Sequence, residues 1–311
     1  MSINNVILGP GQASQYVGMG LSFRSADFPF IENYLQKAQQ ISNIPIADPA
    51  YKGPEELLTR TDNAQVCLTF VSICAYEILK RNKKLTPGMA AGHSLGEYVA
   101  LYAAGVFDFE QVIKAVSIRG QAMHEAAGKC RGGMIAVMGL ALNSLREIVD
   151  ELSKRGVITI ANINSPKQVI LSGDKALLNE AGEKAKAIGA LKVVSLNVSG
   201  PWHSEYMRPA CDTMNDFFAT IQLNKPQFPV YANLTAEPYP EDPEQIKKML
   251  VEQIISPVRW VEIIEKIQAR QPKLFIELSP GKVLNGILRQ IDKSIKCISF
   301  DSIDQLNEIP D

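Results

Sequence analysis

The chain is poor in the residues that most metal, redox and nucleic-acid sites need. It has three histidines and five cysteines. The cysteines (Cys67, Cys74, Cys130, Cys211 and Cys297) are odd in number, scattered and without a CxxC pair, which argues against a disulfide framework and against a zinc site. Cys67 and Cys74 stand seven apart in an apolar stretch, a spacing that places both on one buried helix face. The cytosol is therefore the expected compartment. Net charge is also scarce. Lys and Arg number 32 against 33 Asp and Glu, giving −1 at pH 7, with none of the basic excess of a nucleic-acid binder. No run approaches the roughly 20 apolar residues of a membrane span. The opening MSINNVILGPGQASQ has no basic segment and too short an apolar run for a secretory signal. Repeats, low-complexity tracts and flexible linkers are missing too. What remains is a balance of 46% hydrophobic and 21% charged residues, enough for a sizeable core in one large domain or one domain with an insertion.

Val6 to Leu8 reads as a short buried strand running into the turn-rich GPGQAS. Residues 28–42 read as a helix. Residues 63–82 form a long apolar helix with a carboxamide or hydroxyl cap and a basic last turn. MAAGHSLGEYVALYAAG follows as small-residue strand, tight turn and helix, which points to an α/β core with parallel strands. Residues 133–198 change rhythm. Strand GMIAVMGL, an amphipathic helix, strands VITIANINSP and QVILSG, a polar-faced helix and strand ALKVVSLNVSG give the order βαββαβ, a ferredoxin-like unit. Such a complete unit inside a longer α/β pattern suggests an inserted subdomain, expected over 131–198 between the two parts of a larger domain, 1–130 and 199–311. FPVYAN and KLFIELSP are the best remaining strands, and LSPGKVLNGILRQI reads as a turn and helix. The tail DSIDQLNEIPD is polar and expected to be loosely ordered.

The strongest chemical signal is Gly92-His93-Ser94-Leu95-Gly96, a GxSxG pattern between a strand and a helix. A serine on that turn has its hydroxyl exposed above the strand ends. The following helix aims its N-terminal dipole and free N–H groups at an anion formed during acyl transfer. A serine nucleophile needs a base, and three histidines leave little choice. His93 adjoins Ser94 in sequence and is expected to point away. His124 sits in a helical run as a surface residue. His203, in VSGPWHSEYM where the chain leaves the inserted unit, is either the base or a hydrogen-bonded loop residue. No Asp or Glu suggests itself as a third triad member, and a backbone carbonyl would serve. Arg119, in the apolar helix VIKAVSIRG, is either a clamp for a carboxylate or an exposed helix arginine. Gly11 and Gln12 could lend a backbone N–H to an oxyanion hole, or simply form a turn.

Eight ordered blocks, GPGQASQYVGMG, GHSLGEYVAL, SIRGQAMHEA, ANINSPKQVILSG, VSGPWHSEYM, YANLTAEP, QIISPVRW and LSPGKVLNGILR, span nearly the whole chain. Together they resemble the malonyl-CoA:acyl carrier protein transacylase family, which includes the acyltransferases of polyketide synthases. The resemblance implies an α/β-hydrolase-like large domain, a ferredoxin-like small domain and an active site between them. It implies Ser94 as nucleophile, His203 as base, and the N–H groups of Gln12 and Leu95 as oxyanion hole. Arg119 would hold the malonyl carboxylate, with Met123 one turn on lining the pocket and Asn162 lining the cleft from the small domain. The Gln253 carbonyl would orient His203. Malonyl would pass from coenzyme A to Ser94, then to the phosphopantetheine thiol of an acyl carrier protein, in fatty-acid or polyketide synthesis. Coenzyme A is a substrate, and no cofactor or metal is expected.

Three departures stand out. Gly9 replaces the usual aromatic residue before PGQ. Ala13 stands where GQGSQ has glycine, a tight fit if that backbone has positive φ. Trp202 is an atypical aromatic before HS, a position where the family's aromatic residues accompany malonyl rather than branched units. Two rival readings remain: a carrier-protein thioester hydrolase of the same fold, which has less need of Arg119, and a non-catalytic carrier-protein docking module, which has no need of Ser94 and His203. Nothing demands more than a monomer.

Overall fold

Alternation along three short apolar strands positions most of the molecule. The structure is a computed structural model describing residues 5–26, 28–83 and 85–310. Strand β1 (Asn5–Gly9) pairs in parallel with β2 (Met89–Gly92) on one side and β8 (Leu274–Leu278) on the other. Outside these lie β7 (Val230–Tyr231) and β9 (Cys297–Phe300), also parallel, in the order β7-β2-β1-β8-β9. Val6, Ile7 and Leu8 are fully buried, as expected where both faces of a parallel sheet are covered. Successive side chains point to opposite faces. Ile7 and Ala90 join one core while Val6, Leu8, Met89 and Ala91 join a second.

The helices sort onto these faces. Helix α1 (Leu21–Ser25) is followed by α2 (Pro29–Ser42), α3 (Ala47–Tyr51), α4 (Glu55–Thr59) and the long α5 (Thr61–Asn82). With α6 (Gly96–Ala103) and α7 (Phe109–Gly128), α5 supplies much of the core around Ile7. Helix α5 starts two residues before the expected 63, and Arg60 at its N-cap makes no side-chain capping bond, so the expected carboxamide or hydroxyl cap is missing. Its basic last turn, Lys80 and Arg81, is present.

A second sheet, antiparallel, has the order β4-β5-β3-β6. It comprises β3 (Gly132–Met138), β4 (Ile158–Ser165), β5 (Gln168–Asp174) and β6 (Lys192–Ser195). Helices α8 (Leu142–Leu152) and α9 (Lys175–Ala187) pack on the face carrying Ile135, Val137, Val169 and Leu171. The alternate residues Met134, Ala136, Met138 and Ile170 line a cleft towards the larger sheet. This is the βαββαβ unit within an α/β fold. Its last strand is shorter than ALKVVSLNVSG suggested, because only Lys192–Ser195 pairs with β3.

The chain returns through α10 (Arg208–Phe218), α11 (Pro243–Gln253), α12 (Trp260–Gln268) and α13 (Val283–Ile291). Trp260, Ile263, Ile264 and Ile267 of α12, with Leu284, Ile287 and Leu288 of α13, form the second core. Only Val230–Tyr231 of FPVYAN is strand. The second sheet is tied to the loop between α11 and α12, where Val258 donates to Ala161 O (2.8 Å) and accepts from Ile163 N (2.9 Å). The tail is more ordered than expected. Ser302 and Gln305 form a capping box on a 3₁₀ turn, Ile303–Glu308, and Ile309 buries itself in the main core.

The elbow depends on three glycines. A Cβ on Gly96 would lie 2.0 Å from Gly9 O, and one on Gly92 would lie 1.9 Å from Gly96 C. Gly9, the first departure from the family pattern, is thus where β1 meets the start of α6. Gly96→Ala is expected to cost about 1–3 kcal/mol, the range for overpacking. It should lower the midpoint of denaturant unfolding with the m-value unchanged. An unaltered midpoint would contradict the packing described.

Candidate active site

Ser94 holds a left-handed φ of 52° on the turn between β2 and α6, which lifts its hydroxyl clear of the backbone. Ser94 Oγ lies 2.8 Å from His203 Nε2, and His203 Nδ1 lies 3.0 Å from the carbonyl oxygen of Gln253. A carbonyl can only accept, so Nδ1 carries the hydrogen and Nε2 is left free to take the serine proton. The carbonyl does the orienting work that a carboxylate does in a triad. His203 is buried. That burial, followed by the Arg119 charge, pushes its pKa down to about 3, so the ring is neutral at physiological pH and can act as a base.

Arg119 is 1% exposed, which excludes the exposed-helix reading. Its Nη1 donates to Gln65 Oε1 (2.7 Å), and its Nη2 donates to Gln253 Oε1 (3.2 Å) and Ser94 Oγ (3.3 Å). Among the described residues these partners are all neutral, and the buried Nε has none. Burial lowers the pKa of this guanidinium. A buried cation without a counter-ion is costly. Here it stands beside the Ser94 hydroxyl, on the wall of a cleft of about 610 Å³.

That cleft collects the remaining expected residues. Gln12, Leu95, Met123 and Asn162 all line it. Among the described residues the N–H groups of Gln12 and Leu95 donate to nothing else, as an oxyanion hole requires. The Gln12 side chain is held by Thr61 Oγ1 (2.8 Å). Ala13 does have positive φ, 79°, a conformation costing an alanine about 1–2 kcal/mol. Trp202 also lines the cleft. Its indole N–H has no partner among the described residues, and Gly200 leaves the room its ring fills. His93 makes no bond to Ser94, yet it lines the cleft, with Nε2 2.8 Å from Asn164 Oδ1 and its ring edge-on to Trp260. His124 is half-buried, away from this cleft.

Several contributors were missed by sequence reasoning. Gln65 holds Arg119. Asn233 accepts from Ser94 N (2.7 Å) and donates to Gly92 O (2.7 Å). Glu97, fully buried three residues after Ser94, accepts from Asn233 N (2.6 Å), Tyr239 Oη (3.0 Å) and Gln253 Nε2 (2.6 Å). A signal for Gln65 existed. Thr61, Gln65, Thr69 and Ser72 recur at steps of four, four and three in an apolar helix, a polar stripe along one face, and all four are buried. Asn233 lies in a loop, and nothing local marks it.

Comparison with known proteins identifies the family. The acyl transferase domain family matches residues 6–303. The malonyl CoA-acyl carrier protein transacylase of Bacillus subtilis (strain 168) is 36% identical over 293 residues, 94% of this chain and 92% of that protein. A crystal structure of an acyl carrier protein S-malonyltransferase from Vibrio cholerae superposes with a TM-score of 0.93 at 34% identity, covering 98% of this chain and 99% of that one. So does a malonyl-transacylase in complex with a type II polyketide synthase acyl-carrier protein, with a TM-score of 0.93 at 33% identity and 98% of each chain covered.

The depressed pKa of His203 can be read directly. In a protein with ¹⁵N-labelled histidine, the His203 ring should keep the chemical shifts of neutral imidazole from pH 8 to pH 5, because protonation waits until pH approaches about 3. A His203 titration centred near the ordinary 6.5 would contradict the desolvated, carbonyl-oriented ring.

Proposed function

The chain belongs to the acyl transferase domain family, and on that premise we propose that Ser94, His203 and Arg119 carry out malonyl transfer from malonyl-CoA to an acyl carrier protein. The observation that carries this reading is the buried Arg119 guanidinium, without a carboxylate partner, 3.3 Å from Ser94 Oγ. An acyl group with a free carboxylate supplies the missing anion where the reaction occurs. The chain is an S-malonyltransferase of fatty-acid or polyketide synthesis.

His203 Nε2 takes the hydroxyl proton as Ser94 Oγ attacks the thioester carbonyl carbon. The N–H groups of Gln12 and Leu95 receive the oxyanion. The C–S bond breaks, and the coenzyme A sulfur leaves with the proton from His203. The carrier protein's phosphopantetheine thiol then gives its proton to His203 and attacks the acyl-serine. The C–O bond breaks, and Ser94 Oγ regains the proton. Met123 and Asn162 shape the cleft around the acyl chain, and the Gln253 carbonyl holds the His203 tautomer. No step needs a metal or redox cofactor, and every group comes from one chain, so a monomer suffices. The five cysteines are unpaired, which suits a reducing cytoplasm. Among the described residues no helix is long and apolar enough to cross a membrane.

The thioester hydrolase reading asks for a water-accessible acyl-serine and no clamp. Met134, Ala136, Met138 and Ile170 instead give the cleft an apolar wall, and Arg119 favours a charged acyl group. A docking module would have no use for a 2.8 Å contact between Ser94 and His203.

Incubation with malonyl-CoA alone should add a malonyl ester to Ser94, seen by intact mass and lost in Ser94→Ala. An adduct that survives the substitution would place the nucleophile elsewhere. Arg119→Ala should lower kcat/KM for malonyl-CoA roughly 10- to 100-fold, the equivalent of one charge-assisted interaction of about 1.5–3 kcal/mol, and should lower it much less for acetyl-CoA. Equal losses on both thioesters would make Arg119 structural. A wild type that prefers uncharged acyl groups and water as acceptor would favour the hydrolase.

A further inference from the structure

Beneath the elbow the carboxylate of Glu97 is surrounded by donors. Its Oε1 accepts from the backbone N–H of Asn233 and from the Tyr239 hydroxyl, and its Oε2 accepts from Gln253 Nε2 at 2.6 Å. Gln253 Nε2 also donates to Ser94 O (2.9 Å), while its Oε1 accepts from Arg119 Nη2 (3.2 Å). The two ends of this carboxamide therefore face groups of opposite demand. A carboxylate accepts only, so it requires the amide N–H₂ on its side and leaves the amide oxygen to the arginine.

We propose that Glu97 is a positioning residue that fixes which end of the Gln253 carboxamide faces Arg119, and so sets the preference for a carboxylated acyl group. This rests on the malonyl-transfer reading above. Glu97 touches neither substrate nor nucleophile side chain, and it acts through Gln253. Burial pushes its carboxyl up to about 7, opposed by the bonds from Asn233, Tyr239 and Gln253 and by the Arg119 charge, so above that pH it is the acceptor-only form that faces Gln253.

The consequence of removing one oxygen follows from the same inventory. In Glu97→Gln, the Asn233 N–H still demands an acceptor, so the new amide keeps its oxygen there and turns its N–H₂ towards the N–H₂ of Gln253. Two donors cannot pair. Gln253 is either pushed away from residue 97 or flipped, the flip turning its N–H₂ on Arg119 and its oxygen on Ser94 O, and either change takes from the guanidinium the acceptor that aims it into the cleft. Glu97→Asp keeps an acceptor-only group on a shorter stem. The two variants therefore rank oppositely under two roles. Space-filling predicts that glutamine, the closer shape, is tolerated better. Setting the amide predicts that aspartate is.

The experiment measures kcat and KM at pH 8 for malonyl-CoA and acetyl-CoA in wild type, Glu97→Gln, Glu97→Asp, Arg119→Ala and the Glu97→Gln/Arg119→Ala double variant. Glu97→Gln should lower the malonyl-to-acetyl ratio of kcat/KM about tenfold, the size of one charge-assisted hydrogen bond, mainly through KM for malonyl-CoA. Glu97→Asp should retain more of the ratio. In the Arg119→Ala background Glu97→Gln should change the ratio less than twofold, because residues acting through one partner are not additive. If Glu97→Gln does not fold, Gln253→Met, which keeps the backbone carbonyl but removes the amide, should reproduce the lost preference. The proposal is overturned if Glu97→Gln leaves the ratio intact, if glutamine outperforms aspartate, if the two losses add in full, or if Gln253→Met keeps the preference. A wild type without malonyl preference, or one whose preference survives Arg119→Ala, would instead defeat the malonyl-clamp reading itself.

Discussion

A guanidinium held in the interior without a carboxylate is the constraint on which the rest of this site depends. Arg119 keeps its charge because Gln65 and Gln253 offer oxygens to it, because the Glu97 charge lies nearby and because it opens onto a cleft. Neutral amides solvate the cation without neutralising it. A fixed carboxylate in contact would have satisfied the arginine and weakened its attraction for any further anion. Glu97 lies one residue further away, with its own hydrogen bonds filled by Asn233, Tyr239 and Gln253. Its charge steadies Arg119 without occupying the fork, and the pocket stays short of one anion.

The two sheets divide the work around that cation. The parallel sheet fixes Ser94, the proposed nucleophile, since β2 and α6 meet at a turn that only glycines at 92 and 96 allow. The antiparallel sheet supplies an apolar wall, because Met134, Ala136 and Met138 alternate with residues packed under α8 and α9. The strand-like bonds at Val258 hold the second sheet to the segment just past Gln253. Gln253, whose carbonyl bonds His203, is therefore anchored by the wall of the cleft as well as by the larger domain.

Much of this was legible in the sequence. Strand, GxSxG turn and helix were readable because each obeys a local rule, and the βαββαβ order was readable from alternating and helical periods. Ser94 stood out as a candidate from its turn, and the shortage of histidines made His203 a candidate base that local pattern left open against a hydrogen-bonded loop residue. The roles of Arg119 and Gln253 came from family resemblance, since local pattern left Arg119 open between clamp and surface residue. Glu97 and Asn233 were not legible. Each acts through a partner more than a hundred residues distant, and a buried glutamate on the first turn of α6 looks locally like an ordinary helix-start acid. The order in the tail was missed for a related reason: Ile309 docks against a core built mostly from residues far earlier in the chain.

The central claim is that Arg119 meets the acyl group's free carboxylate. It is tested most directly by a crystal structure of the malonyl-enzyme, trapped on Ser94 in a His203→Gln variant that slows turnover. The account predicts the distal carboxylate within hydrogen-bonding distance of both Arg119 terminal nitrogens, with the ester oxygen facing the N–H groups of Gln12 and Leu95. A carboxylate turned away into solvent, with Arg119 still bound only by Gln65 and Gln253, would contradict it.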